Sequence, residues 1–127
     1  MMRRGSVAVE LALLLPVLLV LLVGALEWGR VLEAQVAIVQ VARDGALAGA
    51  RAGADGDPAG VAEARARAGL AALGRDAGAA EVVVAAMPLS VGDAIQVTIT
   101  TPYAGGSTLV PVPAQLSAAV TARLEGS

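Results

Sequence analysis

An uninterrupted apolar run over residues 11–26 constrains the fold of this chain more than any other feature. Residues 6–26 supply 21 residues of helix, which is about 31 Å at 1.5 Å per residue and matches the hydrocarbon core of a bilayer. Arg3 and Arg4 precede the run, and the positive-inside rule would hold this end in the cytoplasm. The segment is therefore predicted to be a single membrane-spanning helix.

One acid, Glu10, opens the run. An ionised carboxylate inside a membrane helix costs about 2.5–3.5 kcal/mol on insertion scales, so such a residue usually marks a function. The plain alternative is an acid at the headgroups, where the helix dipole favours it. Pro16 lies inside the run, where proline removes one backbone hydrogen bond. We expect it to kink or loosen the helix, unless it is merely tolerated.

Three interpretations of this segment compete. A cleaved secretory signal peptide lacks a clear cleavage site, since Gly24-Ala25 is the nearest candidate and no polar break follows it. An ordinary signal anchor leaves Glu10 unexplained. A prepilin-type leader over residues 1–5, cut on the cytoplasmic side between Gly5 and Ser6, accounts for both the junction and the acid. We favour the third interpretation.

The helix is predicted to continue beyond the membrane. Residues 27–51 contain no proline and keep apolar residues at helical spacing. We therefore expect one long helix over residues 6–54, spanning the membrane at about 6–26 and continuing outside it over 27–54. Its inward stripe is predicted to be Val31, Ala34, Ile38, Val41 or Ala42, Gly45 and Ala48. Trp28 sits where an interfacial aromatic anchor belongs.

A small α+β domain is predicted over residues 55–127. Asp57 can cap a second helix that has Pro58 at its first position, and Gly74 is its expected stop. The inward side of this helix is predicted to carry Val61, Ala64, Ala68 and Ala72 or Leu73. A stretch at 75–80 is expected to be a loop.

The pattern then changes to a period of two, which is typical of strands. Residues 81–87 and 94–101 are predicted to form an antiparallel hairpin across a turn at 90–93. Residues 102–113 carry prolines and a glycine pair and are predicted to be a loop. Residues 114–125 alternate again, but their Ala and Leu content also allows a helix. A third strand is favoured there.

Composition excludes several functions. The chain has no cysteine and no histidine, so disulfides, a thiol nucleophile and a histidine base are all excluded. Its net charge of −2 gives no indication of nucleic-acid binding. We expect no enzymatic activity, no catalytic residues, no cofactor, no metal and no small-molecule substrate.

Five short elements occur in order along the N-terminal part of the chain. They are Gly5, Glu10, Pro16, Glu27-Trp28-Gly29-Arg30 and Ala42-Arg43-Asp44-Gly45-Ala46. This arrangement resembles the TadE-like family, which are pseudopilins or minor pilins of the tight-adherence (Flp, type IVc) pilus system. The motif part covers about residues 5–51, and the later resemblance is one of layout.

The resemblance implies a pilin-like α+β fold and a structural role in pilus assembly and cell adhesion. A prepilin peptidase in the inner membrane would cut between Gly5 and Ser6. Glu10 would then be able to pair with the new α-amine of a neighbouring subunit, and Pro16 would let the helix bend on entering a filament. The implied partners are the inner membrane, the peptidase and other pilins or pseudopilins of the Tad system.

The implied location is the bacterial inner membrane, crossed once, with the N-terminus cytoplasmic. The C-terminal domain would be periplasmic, or extracellular if the protein enters a surface pilus. Two alternatives stay open. One is an unprocessed single-pass envelope domain with a binding role, and the other is a secreted soluble domain behind a signal peptide.

Overall fold

The computed structural model describes residues 2–75, 78–88, 92–103 and 111–125. Two helices are followed by three strands: α1 (Met2–Ala52), α2 (Pro58–Ala72), β1 (Glu81–Pro88), β2 (Asp93–Pro102) and β3 (Gln115–Arg123). The strands form one antiparallel sheet in the order β1-β2-β3. The predicted α+β class is therefore confirmed, and the final segment is a strand.

The chain divides into two compact units. The described part of the first is mainly the N-terminal stretch of α1, residues 2–32. The second contains residues 33–103 and 113–125 among those described. The later part of α1 therefore belongs to the folded α+β unit, where it supplies one of the two helices.

Helix α1 begins earlier than predicted and ends at Ala52, two residues before the predicted end. It runs through 51 residues from Met2, so Gly5 and Ser6 lie inside the helix and not at its start. The buried side chains along it include Val31, Ala34, Ile38, Val41 and Ala42. This confirms most of the predicted stripe, although Ala48 is only half-buried.

Two glycines let α2 approach α1 closely. A Cβ added at Gly45 would lie 3.0 Å from the carbonyl oxygen of Ala62 and 3.3 Å from the Cβ of Ala66. A Cβ added at Gly49 would lie 2.6 Å from the carbonyl oxygen of Pro58 and would also collide with Cδ1 of Ile95. The contact leaves no room for a methyl group at Gly49, so the backbone itself forms this part of the core.

The N-terminus of α2 is capped as predicted. The Asp57 carboxylate accepts a hydrogen bond from the backbone N–H of Gly60 at 3.2 Å, and Pro58 opens the helix. Asp57 adopts the left-handed conformation with φ of 54°, which a non-glycine residue rarely does without a local hydrogen bond.

The predicted inward side of α2 is wrong, because every residue predicted to face inward is exposed. The structure buries Ala62, Ala66 and Leu70, whereas Val61 is 38% exposed. The helix is so rich in alanine that its faces differ little in hydrophobicity. The close contact with Gly45 and Gly49 decides the orientation, because only a small side chain fits there.

The sheet places one apolar face inward. On the central strand β2, residues Ile95, Val97 and Ile99 are each at most 2% exposed, while the residues between them are only partly buried. Neighbours on β1 and β3 are aligned in a continuous register, with Val84 and Val120 opposite Val97. The predicted hairpin of β1 and β2 is confirmed. Most of its turn, and most of the predicted loop at 102–113, lies outside the described residues.

We expect Gly49→Ala to destabilise the folded unit by about 1–3 kcal/mol, the usual cost of overpacking a core. The measurement is the thermal unfolding midpoint of the full chain in detergent, monitored through the circular dichroism signal of the sheet. Gly29→Ala is the matched control, since an added Cβ there meets no described atom within 4 Å. An equal midpoint for Gly49→Ala and wild type would contradict the close packing.

Candidate functional site

The first part of α1 exposes an apolar surface on every side. Each large aliphatic side chain from Val7 to Leu22, apart from Pro16, is between 53% and 70% exposed in the described structure. A soluble monomer rarely exposes so large a contiguous apolar surface. The segment therefore requires a nonpolar environment around it.

Among the described residues, one helix is long and apolar enough to cross a membrane. Its most apolar window of 18 residues has a mean hydropathy of 2.8 and is not buried by any other part of the protein. This agrees with the predicted span and with a membrane-anchored protein.

Glu10 is the exposed acid within this surface. It forms no hydrogen bond or ion pair with any described residue. It lies four residues after Ser6, so the two residues share a face one helical turn apart. The carboxylate therefore lacks an intramolecular partner in the described chain while standing among leucines and valines.

The glycines of the sequence motif have different environments. A Cβ added at Gly5 or Gly29 would meet no described atom within 4 Å, whereas Gly45 is pressed against α2. Glycine inside a helix costs about 0.5–1 kcal/mol relative to alanine. Packing accounts for that cost at Gly45, but nothing within the described chain accounts for it at Gly5 or Gly29.

Pro16 lies within the continuous α1 helix. Together with Val17, Val20 and Leu21 it lines an open apolar groove of about 290 Å³. The groove offers a recess on the surface of the candidate span. Whether the proline bends the helix during assembly stays a prediction.

The Glu27-Trp28-Gly29-Arg30 element follows the apolar run on α1. Trp28 is 46% exposed, as an interfacial anchor would be, and Arg30 is exposed. One carboxylate oxygen of Glu27, Oε2, is buried without a hydrogen-bond partner among the described residues.

Arg43 and Asp44 point away from the core although Gly45 is buried. Asp44 lies beside a groove of about 470 Å³ between α1 and α2, and Arg65 lies on the opposite wall. No ion pair joins these two charges. The sequence motif thus combines one residue that packs against α2 with two exposed charges.

The sequence analysis did not predict the roles of two residues that stabilise the folded unit. Gly49 stands four residues after Gly45, a spacing that places both on one helix face and that could have indicated a close helix contact. Gln35 donates a hydrogen bond from Nε2 to the carbonyl oxygen of Ser117 at 2.7 Å. No sequence pattern indicates that contact, because its partner lies 82 residues away.

A family model described as TadE-like protein matches residues 5–47. That part of the chain is similar to the TadE-like family. The match contains Gly5, Glu10 and Pro16, and it ends just beyond Gly45, where α1 packs on α2. No curated protein and no solved structure gives a significant match. Within the described ranges, no cluster of acidic side chains is suited to hold a metal ion.

The candidate span predicts how the chain will fractionate. Leu14→Arg with Leu18→Arg should add about 5–7 kcal/mol to the cost of insertion, at about 2.5–3.5 kcal/mol per arginine. We expect the double variant to leave the membrane pellet on alkaline carbonate extraction. Val36→Arg with Val39→Arg is the matched control outside the predicted span and should stay in the pellet. Retention of the first variant would contradict the assignment.

Proposed function

We propose that this chain is a TadE-like minor pilin or pseudopilin, a structural component of type IVc (Flp/Tad) pilus assembly. A prepilin peptidase processes it between Gly5 and Ser6, and it associates laterally with other pilins through α1. Its role is structural and not enzymatic. The TadE-like segment supports the connection to a Tad pilus system.

The observation that carries the proposal is the carboxylate of Glu10, which pairs with no described residue. Removing a charge from water costs several kcal/mol, which is offset when an opposite charge is brought into good geometry. Cleavage after Gly5 would create an α-amine on Ser6, one helical turn from Glu10. The amine of one subunit and the carboxylate of its neighbour would satisfy each other and set the axial register between helices.

The environment of Gly5 supports processing at this bond. Because an added Cβ would meet no described atom within 4 Å, packing among the described residues does not require glycine there. A protease that needs a small residue before the scissile bond provides a reason. In the proposed topology Arg3 and Arg4 keep this bond in the cytoplasm, and the folded unit lies outside the inner membrane.

Gly5→Leu should block processing without disturbing the fold. The measurement is the intact mass of the membrane-fraction protein, expressed with and without a cognate prepilin peptidase. We expect wild type to lose residues 1–5 only when the peptidase is present, and Gly5→Leu to keep them. Gly29→Leu makes the same change at another open glycine and should be processed normally.

Retention of residues 1–5 by wild type beside an active peptidase would overturn the proposed processing. The unprocessed single-pass envelope domain would then be the better account. A cut near residue 25 with release of a soluble product would instead identify a secretory signal peptide.

Glu10→Gln should abolish assembly while leaving insertion and processing intact. The variant would leave the partner's amine buried without its counter-charge, a loss of about 3–5 kcal/mol. Assembly is measured by co-purification of the variant with the other pilus subunits from membranes. We expect the amount recovered to fall by more than about a hundredfold. Glu33→Gln, an exposed acid beyond the predicted span, is the matched control. Wild-type recovery with Glu10→Gln would contradict the pairing.

A further inference from the structure

Helices α1 and α2 form an open face along their seam in the folded unit. Two recesses lie along it, of about 470 Å³ and 280 Å³, and Asp44 and Arg65 line both. Apart from these charges and Gln40, the larger recess is lined by small or apolar residues, which are Ala37, Val41, Ala68, Gly69, Ala72 and Leu73. We call this surface the seam face.

The α2 side of the seam face is an exposed apolar surface. Val61 is 38% exposed and Leu73 is 46% exposed, and Ala64, Ala68 and Ala72 between them are exposed as well. The sequence pattern predicts that these residues face inward, yet no described part of the single chain covers them. A partner on the seam face would remove this apolar surface from water.

Asp44 and Arg65 lie at the same level of the seam. A Cβ added at Gly45 would lie 3.3 Å from the Cβ of Ala66, and the helices run antiparallel there. Asp44 and Arg65 each precede one member of that pair, so their levels agree to within about 3 Å at 1.5 Å per residue. Among the described residues no ion pair joins them or occupies either charge.

We propose that the seam face is the docking surface for a second copy of this chain, related by a two-fold axis parallel to α1. Rotation about that axis keeps every residue at its level and sets α1 of each copy against α2 of the other, as in a four-helix bundle. Asp44 of each copy then meets Arg65 of the other. The four charges alternate in sign around the axis, so each carboxylate lies between two guanidinium groups.

The direction of the axis fits two copies anchored in one membrane. Helix α1 is continuous from Met2 to Ala52, and rotation about an axis parallel to it leaves both copies of α1 pointing the same way. Both candidate spans therefore enter the same bilayer from the same side. The proposal rests on the membrane-anchored location and not on processing or pilus entry.

The other charges near the seam face do not oppose the pairing. Arg51 lines the smaller recess, but it lies seven residues beyond Asp44. That distance is about 10 Å along the helix, which exceeds the Debye length of about 8 Å in physiological salt. On α2, Glu63 and Arg67 already form an ion pair at 3.1 Å.

The size of the seam face indicates where the dimer would form. The 15 residues of α2 extend about 22 Å and two helices side by side are about 20 Å wide, which gives roughly 450 Å² per partner. Stable interfaces in solution bury about 600–1,000 Å² per partner. Anchoring in one membrane lowers the entropic cost of association, because both copies already share a plane and an orientation. The dimer therefore depends on the membrane.

Disulfide trapping tests the proposal, because the chain has no native cysteine. Two differently tagged full-length copies, one with Ala37→Cys and the other with Ala72→Cys, are co-expressed and oxidised in intact membranes. Both positions line the larger recess, and the two-fold axis brings one against the other. The matched control is Val36→Cys with Ala71→Cys, each one residue earlier, exposed and turned about 100° around its helix.

We expect the first pair to form severalfold more hybrid disulfide dimer than the control pair. Equal trapping of the two pairs would overturn the proposal. The mass of the processed chain is measured separately, so a failure here is distinguishable from a failure of the proposed pilin function.

Charge variants of the first pair test the ring of charges. Asp44→Arg in both copies makes all four charges positive and Arg65→Glu in both makes them negative, so either should lower trapping severalfold. Asp44→Arg in one copy with Arg65→Glu in the other restores opposite charges only between copies, and trapping should recover. Trapping of the mixed pair no greater than that of the like-charged pairs would contradict the docking.

Discussion

The structure depends on where the apolar first part of α1 can reside. Its leucine and valine side chains are more than half exposed along the whole run, and at roughly 25 cal/mol per Å² of apolar surface they cannot remain in water. A bilayer and a bundle of similar helices would each remove these side chains from water. Glu10 distinguishes the two, since lipid offers its carboxylate no partner, whereas in the proposed assembly another subunit would supply one.

The later part of α1 meets a different constraint. In the folded unit it packs against a helix made largely of alanine, with Gly45 and Gly49 at the contact. The domain contains few large side chains, and its largest fully buried ones are Ile38, Leu70, Ile95, Ile99 and Val97. Close backbone approach therefore replaces bulky side chains as the source of packing density.

Much of this could be predicted from local pattern. The apolar run, the Asp57 cap and the alternation of β2 each depend on neighbours in sequence, and each is confirmed. The segment 115–123 was ambiguous because alanine and leucine suit a helix as well as a strand. Pairing with β2 decides it, since Ala118 and Val120 then fall opposite Ile99 and Val97.

What could not be predicted depends on residues distant in sequence. The inward face of α2 is set by its contact with α1. An alanine-rich helix has little difference in hydrophobicity between its faces, so this face cannot be predicted from its own sequence. The two glycines of the motif that look alike in sequence, Gly29 and Gly45, differ because only one faces α2.

The central claim is that Glu10 pairs with the α-amine that processing creates on a neighbouring subunit. All nine basic residues are arginine, so the N-terminal amine is the only primary amine in the chain. A membrane-permeant carbodiimide, which joins an amine to a carboxylate without a spacer, should therefore link the α-amine of one subunit to Glu10 of its neighbour. We predict a species whose mass is that of this chain plus one neighbouring pilin subunit, less one water, and that contains a peptide linked at Glu10. Linkage confined to single chains, or an amine still on Met1, would contradict the account.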